Sequence, residues 1–313
     1  VDYYKVLAEY AKPVELQPGE SSYASSVEKT LDPKLFIGIK LIPSVRNSIL
    51  GIVIRFLDTY YQNADKWATV WLAGSGISYH WSAHRNPADL DCLISVDNNL
   101  FRMSNAQFVG FSNQEIANQI NELLKDKLHP LTNNYMGVFD LTFFVNKEEN
   151  PLNMKPYAAY SLTDDRWIVE PTNEPAVQKP EWDKVAAQDE SLANNILAKY
   201  SDHLYNLLNA QGDAGRRNAE TLLVHAIEQG AALFDTIHEA RSQAFSTAGE
   251  GYSDFNNYRW QAGKKSGVVP AMKILKDLSK ESKRMVNEET YGVELPNAST
   301  LIRRAILNRK GNE

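Results

Sequence analysis

The chain has 313 residues, 43% of them hydrophobic, with 33 Lys and Arg against 39 Asp and Glu for a net charge of −6. That length and balance predict a folded protein with a sizeable core in two domains, and the acidic sum argues against a protein that coats duplex nucleic acid. Cys92 is the single cysteine, which excludes an intrachain disulfide and a Cys-rich zinc site.

Val1 to Pro18 carries no basic stretch followed by an apolar one, and no apolar run in the chain approaches the roughly 20 residues of a spanning helix. The expectation is a soluble, cytoplasmic protein without membrane contact. Glu20 to Lys34 is polar and irregular, and Leu35 to Ile42 is short and largely apolar. Pro43 suits the start of a helix. Val45, Ile49, Ile52, Phe56 and Tyr60 recur at helical spacing, so an amphipathic helix is predicted over Ser44 to Gln62. Trp67 to Ala73 is rich in β-branched and aromatic residues and is cut by Gly74-Ser75-Gly76, as when a strand feeds a tight turn that opens a helix.

Leu90 to Val96 reads as a second strand. A helix is expected over Ser112 to Leu128, ending at His129-Pro130, and a third strand over Tyr135 to Val145. Tyr157 to Leu162 and Trp167 to Glu170 add a hairpin bent at Asp164-Asp165. The Pro-rich stretch Pro171 to Pro180 is the expected boundary, followed by helical patterns over Ser191 to Ala210, Arg217 to Phe245 and Pro270 to Val286. The expected fold is therefore α/β (α+β), with a small mixed sheet covered by helices in residues 1–175 and a helical domain in residues 176–313.

Asp89 and Asp91 are two apart on a strand, so both side chains leave one face while Leu90, Cys92, Ile94 and Val96 take the other. Cys92 is thereby expected to be buried and inert. Asp140 interrupts the apolar run Val138-Phe139-Asp140-Leu141-Thr142-Phe143, which has no evident structural need for a carboxylate. Three acids on adjacent strands repel one another unless a counter-ion lies between them. Hard oxygen ligands of this kind suit Mg²⁺ or Mn²⁺, completed by triphosphate oxygens and water. Solvated turn aspartates are the ordinary explanation of an Asp-x-Asp pair; the glycine turn upstream and the second acidic strand downstream are what set this one apart.

Leu72-Ala73-Gly74-Ser75, Asp89-Leu90-Asp91-Cys92 and the later Asp140 together resemble the nucleotidyltransferase superfamily typified by DNA polymerase beta. The likeness covers roughly Trp67 to Val145, under a third of the chain. A fainter resemblance of the whole chain is to phage-type nucleotidyltransferase-like proteins. The family resemblance implies that Asp89, Asp91 and Asp140 hold two divalent cations, that Asp140 helps deprotonate an acceptor hydroxyl, and that Gly74 and Ser75 contact the β- and γ-phosphates of a nucleoside triphosphate. Gly76 is an addition to the family turn. The implied reaction is transfer of a nucleoside monophosphate to a hydroxyl with release of pyrophosphate.

Arg85 in the spacer is a further candidate for the triphosphate. His80 and His84 lie near it, but without companion ligands they do not make a zinc site. From Arg259 onward about 12 basic residues face about 6 acidic ones, a net of about +6 against about −12 in the remainder. Tyr258-Arg259-Trp260-Gln261-Ala262-Gly263-Lys264-Lys265 interleaves aromatic and basic residues, as a base-stacking, phosphate-binding surface would, or as core aromatics beside surface lysines would. The helical domain of the family often lends a cation to the triphosphate, which makes Lys264 and Lys265 nucleotide-binding candidates and Arg216 and Arg217 weaker ones. An RNA or tRNA 3′ end is the favoured acceptor, with a small molecule, a protein hydroxyl or a second nucleotide left open. A non-catalytic nucleotide- or RNA-binding module on the same fold is the rival class, and chance placement of the three acids in a helical interaction protein is a third.

Overall fold

The computed structural model describes residues 11–19, 21, 27–81, 87–146, 151–174 and 177–291, with the backbone alone described at 151, 152 and 286–291. The chain forms two compact units, an α/β unit built on a five-stranded sheet and a helical unit. In the α/β unit a two-residue hairpin, β1 (Phe36–Ile37) and β2 (Lys40–Leu41), leads into α1 (Pro43–Tyr60), whose first turn is set by Pro43. Val45, Ile49, Val53 and Leu57, four apart, form the buried stripe of α1. A single turn, α2 (Ala64–Trp67), then delivers β3 (Ala68–Ala73).

After β3 the chain makes a 3₁₀ turn at Ser75–Ile77 and returns as β4 (Ala88–Val96). A short helix, α3 (Asn98–Ser104), follows, capped by the Asp97 carboxylate, which accepts from the backbone N–H groups of Asn99 and Leu100. Next comes α4 (Asn113–Leu123), opened by a reciprocal capping box between Ser112 and Glu115. The helix expected to end at His129-Pro130 does not end there. It widens into a π-turn over Leu124–Leu128 and resumes as α5 (His129–Thr132), where Pro130 falls in the first turn and its missing N–H leaves no bond unmade.

The third strand is shorter than expected: β5 (Phe139–Val145) follows a tight turn in which Met136 and Gly137 both have positive φ. β6 (Ala159–Ser161) and β7 (Arg166–Val169) form the expected hairpin. The strand order is β5-β4-β3-β6-β7, with β4 and β5 parallel and the other pairs antiparallel. Alternation divides the sheet cleanly. Leu90, Cys92, Ile94, Phe139, Leu141 and Phe143 enter the main core, whereas the opposite face carries a small cluster of Trp71, Ala73, Leu93 and Ala159.

The helical unit contains α6 (Pro180–Asn209), α7 (Gly212–Ala244), α8 (Phe255–Ser266) and α9 (Val268–Tyr291). A Cβ at Gly230 of α7 would lie 2.3 Å from Leu275 Cδ1, so this glycine lets α7 and α9 approach closely. The division at residue 175 does not hold for every segment. Residues 11–19 and 21 belong to the helical unit, where Ala11 and Val14 join its core and the Tyr200 hydroxyl donates to the Lys12 carbonyl at 2.8 Å. Conversely, Phe245–Tyr252 belongs to the α/β unit, held by Lys155 Nζ donating to the Gly249 carbonyl at 2.7 Å. Neither segment has the apolar periodicity that would have revealed its allegiance. No described helix is long and apolar enough to cross a membrane.

Candidate active site

Asp89 and Asp140 are register partners across the parallel β4–β5 pair, and Asp91 is partnered by Thr142. All four side chains leave the sheet on the face opposite the main core, as the period-two pattern requires. Neighbouring strands lie about 4.8 Å apart. Two unit charges at that spacing repel by about 1 kcal/mol in water and by about 3 kcal/mol at an effective dielectric constant of 20, so a compensating positive group is worth more here than on an open surface.

His129 lies against one of these acids. Its Nε2 lies 2.8 Å from Asp140 Oδ1, with the two side chains 39% and 30% exposed, so the pair sits at the rim and is neither sealed in the core nor free in water. Thr142 Oγ1 donates to Asp91 Oδ1 at 3.2 Å. Asp89 is exposed, and Asp91 and Asp140 are half-buried. Among the described residues no three His, Cys, Asp or Glu side chains converge on a single centre. The three carboxylates stand side by side, and bringing them round one cation takes side-chain rotation, since seven consecutive register pairs hold the backbone of β4 and β5 in place.

Gly74 and Ser75 leave β3 directly beside these acids, because Ala73 is the register partner of Asp91. Among the described residues no helix opens at this turn. Ser75–Ile77 is one 3₁₀ turn, and the Ser75 carbonyl accepts from both the Ser78 N–H and the Ser78 hydroxyl, which takes it out of an α-helical ladder. Phosphate contact through a helix N-terminus is therefore not a property of this turn. Closeness is: a Cβ at Gly76 would lie 2.8 Å from the Asp89 carbonyl oxygen.

His80 is buried, with Nε2 2.7 Å from the Tyr157 hydroxyl and 3.1 Å from the Glu174 carbonyl. Burial holds its imidazole below the usual pKa, only partly opposed by the Glu174 carbonyl. Among the described residues its Nδ1 has no hydrogen-bond partner, in keeping with a neutral ring. Cys92 is fully buried on the core face, where burial and the nearby Asp91 charge push its thiol pKa well up, so it is not a nucleophile.

Arg85 and His84 lie outside the described residues. Lys264 and Lys265 occupy the last turn of α8 in the helical unit, where cations complement the helix C-terminus; the Lys265 carbonyl accepts from Gly19 N–H at 3.0 Å. The aromatic and basic run around them is mostly half-buried and engaged within the helical unit. Tyr258 is buried and its hydroxyl bonds Asp183, Trp260 packs on Phe234 and His238, and Arg259 forks onto Asp189 at 2.6 and 2.7 Å. Arg217 uses its Nε on the Asp213 carbonyl one turn earlier, a helix-surface contact.

Sequence reasoning missed His129 and Thr142. Thr142 was findable, since it lies two residues after Asp140 and so on the same face. His129 had no local signal, because a His-Pro pair after a helix reads as a stop. Comparison with protein-family models, curated proteins and solved structures finds no match to this chain.

Proposed function

We propose that the chain is a metal-dependent nucleotidyltransferase that moves a nucleoside monophosphate from a nucleoside triphosphate to an acceptor hydroxyl. The observation that carries this reading is the register of β4 on β5, which sets Asp140 beside Asp89 with Asp91 one pleat further along the same face. Two neighbouring apolar strands that carry acids at these positions set carboxylates side by side with no return in packing. Asp89 and Asp91 would hold Mg²⁺ or Mn²⁺, with Asp140 as the third carboxylate; when bound, the ions supply charge for the attacking and leaving oxygens. The donor set fits such ions, being oxygen throughout and on a rigid sheet.

In the reaction a bond forms between the acceptor oxygen and the α-phosphorus, and the bond from that phosphorus to the pyrophosphate oxygen breaks. The acceptor proton passes by way of the half-exposed Asp140 carboxylate to solvent. Gly74 keeps the space next to the Asp91 carboxylate clear of side chain, whereas Gly76 lets the turn pack against the Asp89 carbonyl and Leu90. Thr142 orients Asp91.

An RNA 3′ end draws less support as acceptor than the basic, aromatic C-terminal region suggested. Lys276, Lys283 and Arg284 of α9 each lie against a carboxylate, Asp235, Glu228 and Glu281 respectively, and Arg259 is committed to Asp189. The test is incubation with each α-labelled nucleoside triphosphate, Mg²⁺ or Mn²⁺, and separate pools of RNA, small metabolites and protein. Label entering one pool with the wild type and not with Asp91→Ala supports the reading and names the acceptor. Tight triphosphate binding with no transfer into any pool would favour a non-catalytic nucleotide-binding module.

A further inference from the structure

We propose that His129 is a positioning residue for Asp140, acting as a hydrogen-bond donor that fixes one carboxylate oxygen and leaves the other for a divalent cation. The inference rests on the nucleotidyltransferase reading of the same site. Its basis is the way the chain between α4 and β5 is pinned. Leu124, Leu128 and Thr132, four apart, are buried, so His129 stands at the rim of that stripe. Thr132 Oγ1 donates to the Leu141 carbonyl at 2.7 Å, which ties the end of α5 to β5 one residue beyond Asp140. The intervening turn is closed by paired backbone bonds between Tyr135 and Phe139, at 2.8 and 2.9 Å. Both ends of the segment are thus fixed to the strand that carries the acid, which keeps the His129 backbone next to Asp140.

The consequence for Asp140 is a restricted carboxylate. With Oδ1 accepting from His129 Nε2, the side chain has one oxygen left over, and the donated N–H offsets part of the repulsion from Asp89, its partner across the register. Hydrogen-bond donors behind a ligating carboxylate of this kind are typically worth about 10–100-fold in metal affinity or activity. A purely structural His129–Asp140 pair at this exposure would change stability a little and metal binding not at all.

The test uses Mn²⁺ as the probe, followed by electron paramagnetic resonance with and without a nucleoside triphosphate. The full chain is compared with His129→Phe, which keeps a ring and loses the donor, His129→Ala, and His129→Gln, which keeps a donor. Circular dichroism confirms the fold of each. The expected result is Mn²⁺ affinity weakened about 10–100-fold in the Phe and Ala variants and close to wild type in the Gln variant. Where transfer is measured, kcat falls in the donor-less variants with the KM for the triphosphate unchanged. Wild-type affinity in folded His129→Phe overturns the inference alone. Equal weakening in Phe and Gln also overturns it, since the imidazole would then be a ligand and not a donor. Absence of Mn²⁺ binding by the wild type, with and without triphosphate, overturns the metal-dependent reading together with this inference.

Discussion

Gly74 stands against Asp91: a Cβ built on this glycine would lie 3.2 Å from Asp91 Oδ2, and its φ of 91° with ψ of −171° belongs to a region that is essentially closed to other residues. Gly74→Ala therefore strains the backbone by about 1–3 kcal/mol and presses a methyl group onto one of the candidate metal ligands. Gly38 gives the comparison, because it also has positive φ (61°) but nothing lies within 4 Å of its added Cβ. Both alanine variants should lower the midpoint of thermal unfolding. Mn²⁺ binding should weaken in Gly74→Ala and stay at the wild-type level in Gly38→Ala, as titration of the two folded variants would read.

Thr142 lies on the site face of β5 and donates to Asp91 Oδ1. Valine keeps the branched shape and removes the hydroxyl. A hydrogen bond to a charged group contributes about 1.5 kcal/mol at the lower end of its range, appropriate for this half-buried position, which corresponds to about tenfold in a rate. Thr142→Val should lower kcat/KM for label transfer by about that factor with little change in unfolding midpoint, and Thr142→Ser should retain most of the activity. Equal activity in Thr142→Val and the wild type would remove the orienting role.

The carboxylate pair on β4 was legible because one face of that strand is wholly apolar: Leu90, Cys92, Ile94 and Val96 all enter the main core, which leaves Asp89 and Asp91 only one place to go. The parallel register of β4 on β5 was not legible, since it depends on the tight turn at Met136 and Gly137 and on how the π-turn resets the preceding helix. Helices α3 and α8 escaped for a different reason. Their buried residues are few or include Asn257 and Gly263, so apolar periodicity is weak, and their starts are marked only by the capping carboxylates of Asp97 and Asp254. The helix expected after Gly74 failed because Ser78 competes for the Ser75 carbonyl, a local side-chain effect that a glycine-rich pattern does not report.

Arg259 and Asp189 form a forked ion pair with side chains only 17% and 10% exposed. Asp189→Ala leaves the guanidinium without its carboxylate between α6 and α8, a change that costs about 3–5 kcal/mol where a buried pair is broken. The expected outcome is a large drop in the denaturant midpoint of the helical unit. Replacing both partners, as in Asp189→Leu with Arg259→Met, should recover much of it, because the desolvation cost of both charges disappears. If Arg259 instead served the triphosphate, Arg259→Met would weaken nucleotide binding in the folded protein. Unfolding curves and nucleotide titrations on the same variants separate these outcomes.

His80 and His238 supply the pH dependence. Burial lowers the pKa of the His80 imidazole, and partial desolvation together with the Arg241 charge lowers that of the exposed His238. In the unfolded chain each ring takes up a proton near pH 6.5, and in the folded chain only at lower pH. Between those values the unfolded state binds more protons, so stability is full above about pH 6.5 and declines as pH falls toward the folded-state values. A proton on His80 Nδ1 would also create a buried N–H for which no described residue offers an acceptor. Wild-type unfolding midpoints should therefore fall between pH 7.5 and pH 5.5, a window above the carboxylate range. His80→Gln, which keeps a donor toward the Glu174 carbonyl and carries no titrating ring, should show a shallower fall over the same window. A variant profile parallel to the wild type would show that His80 does not contribute to it.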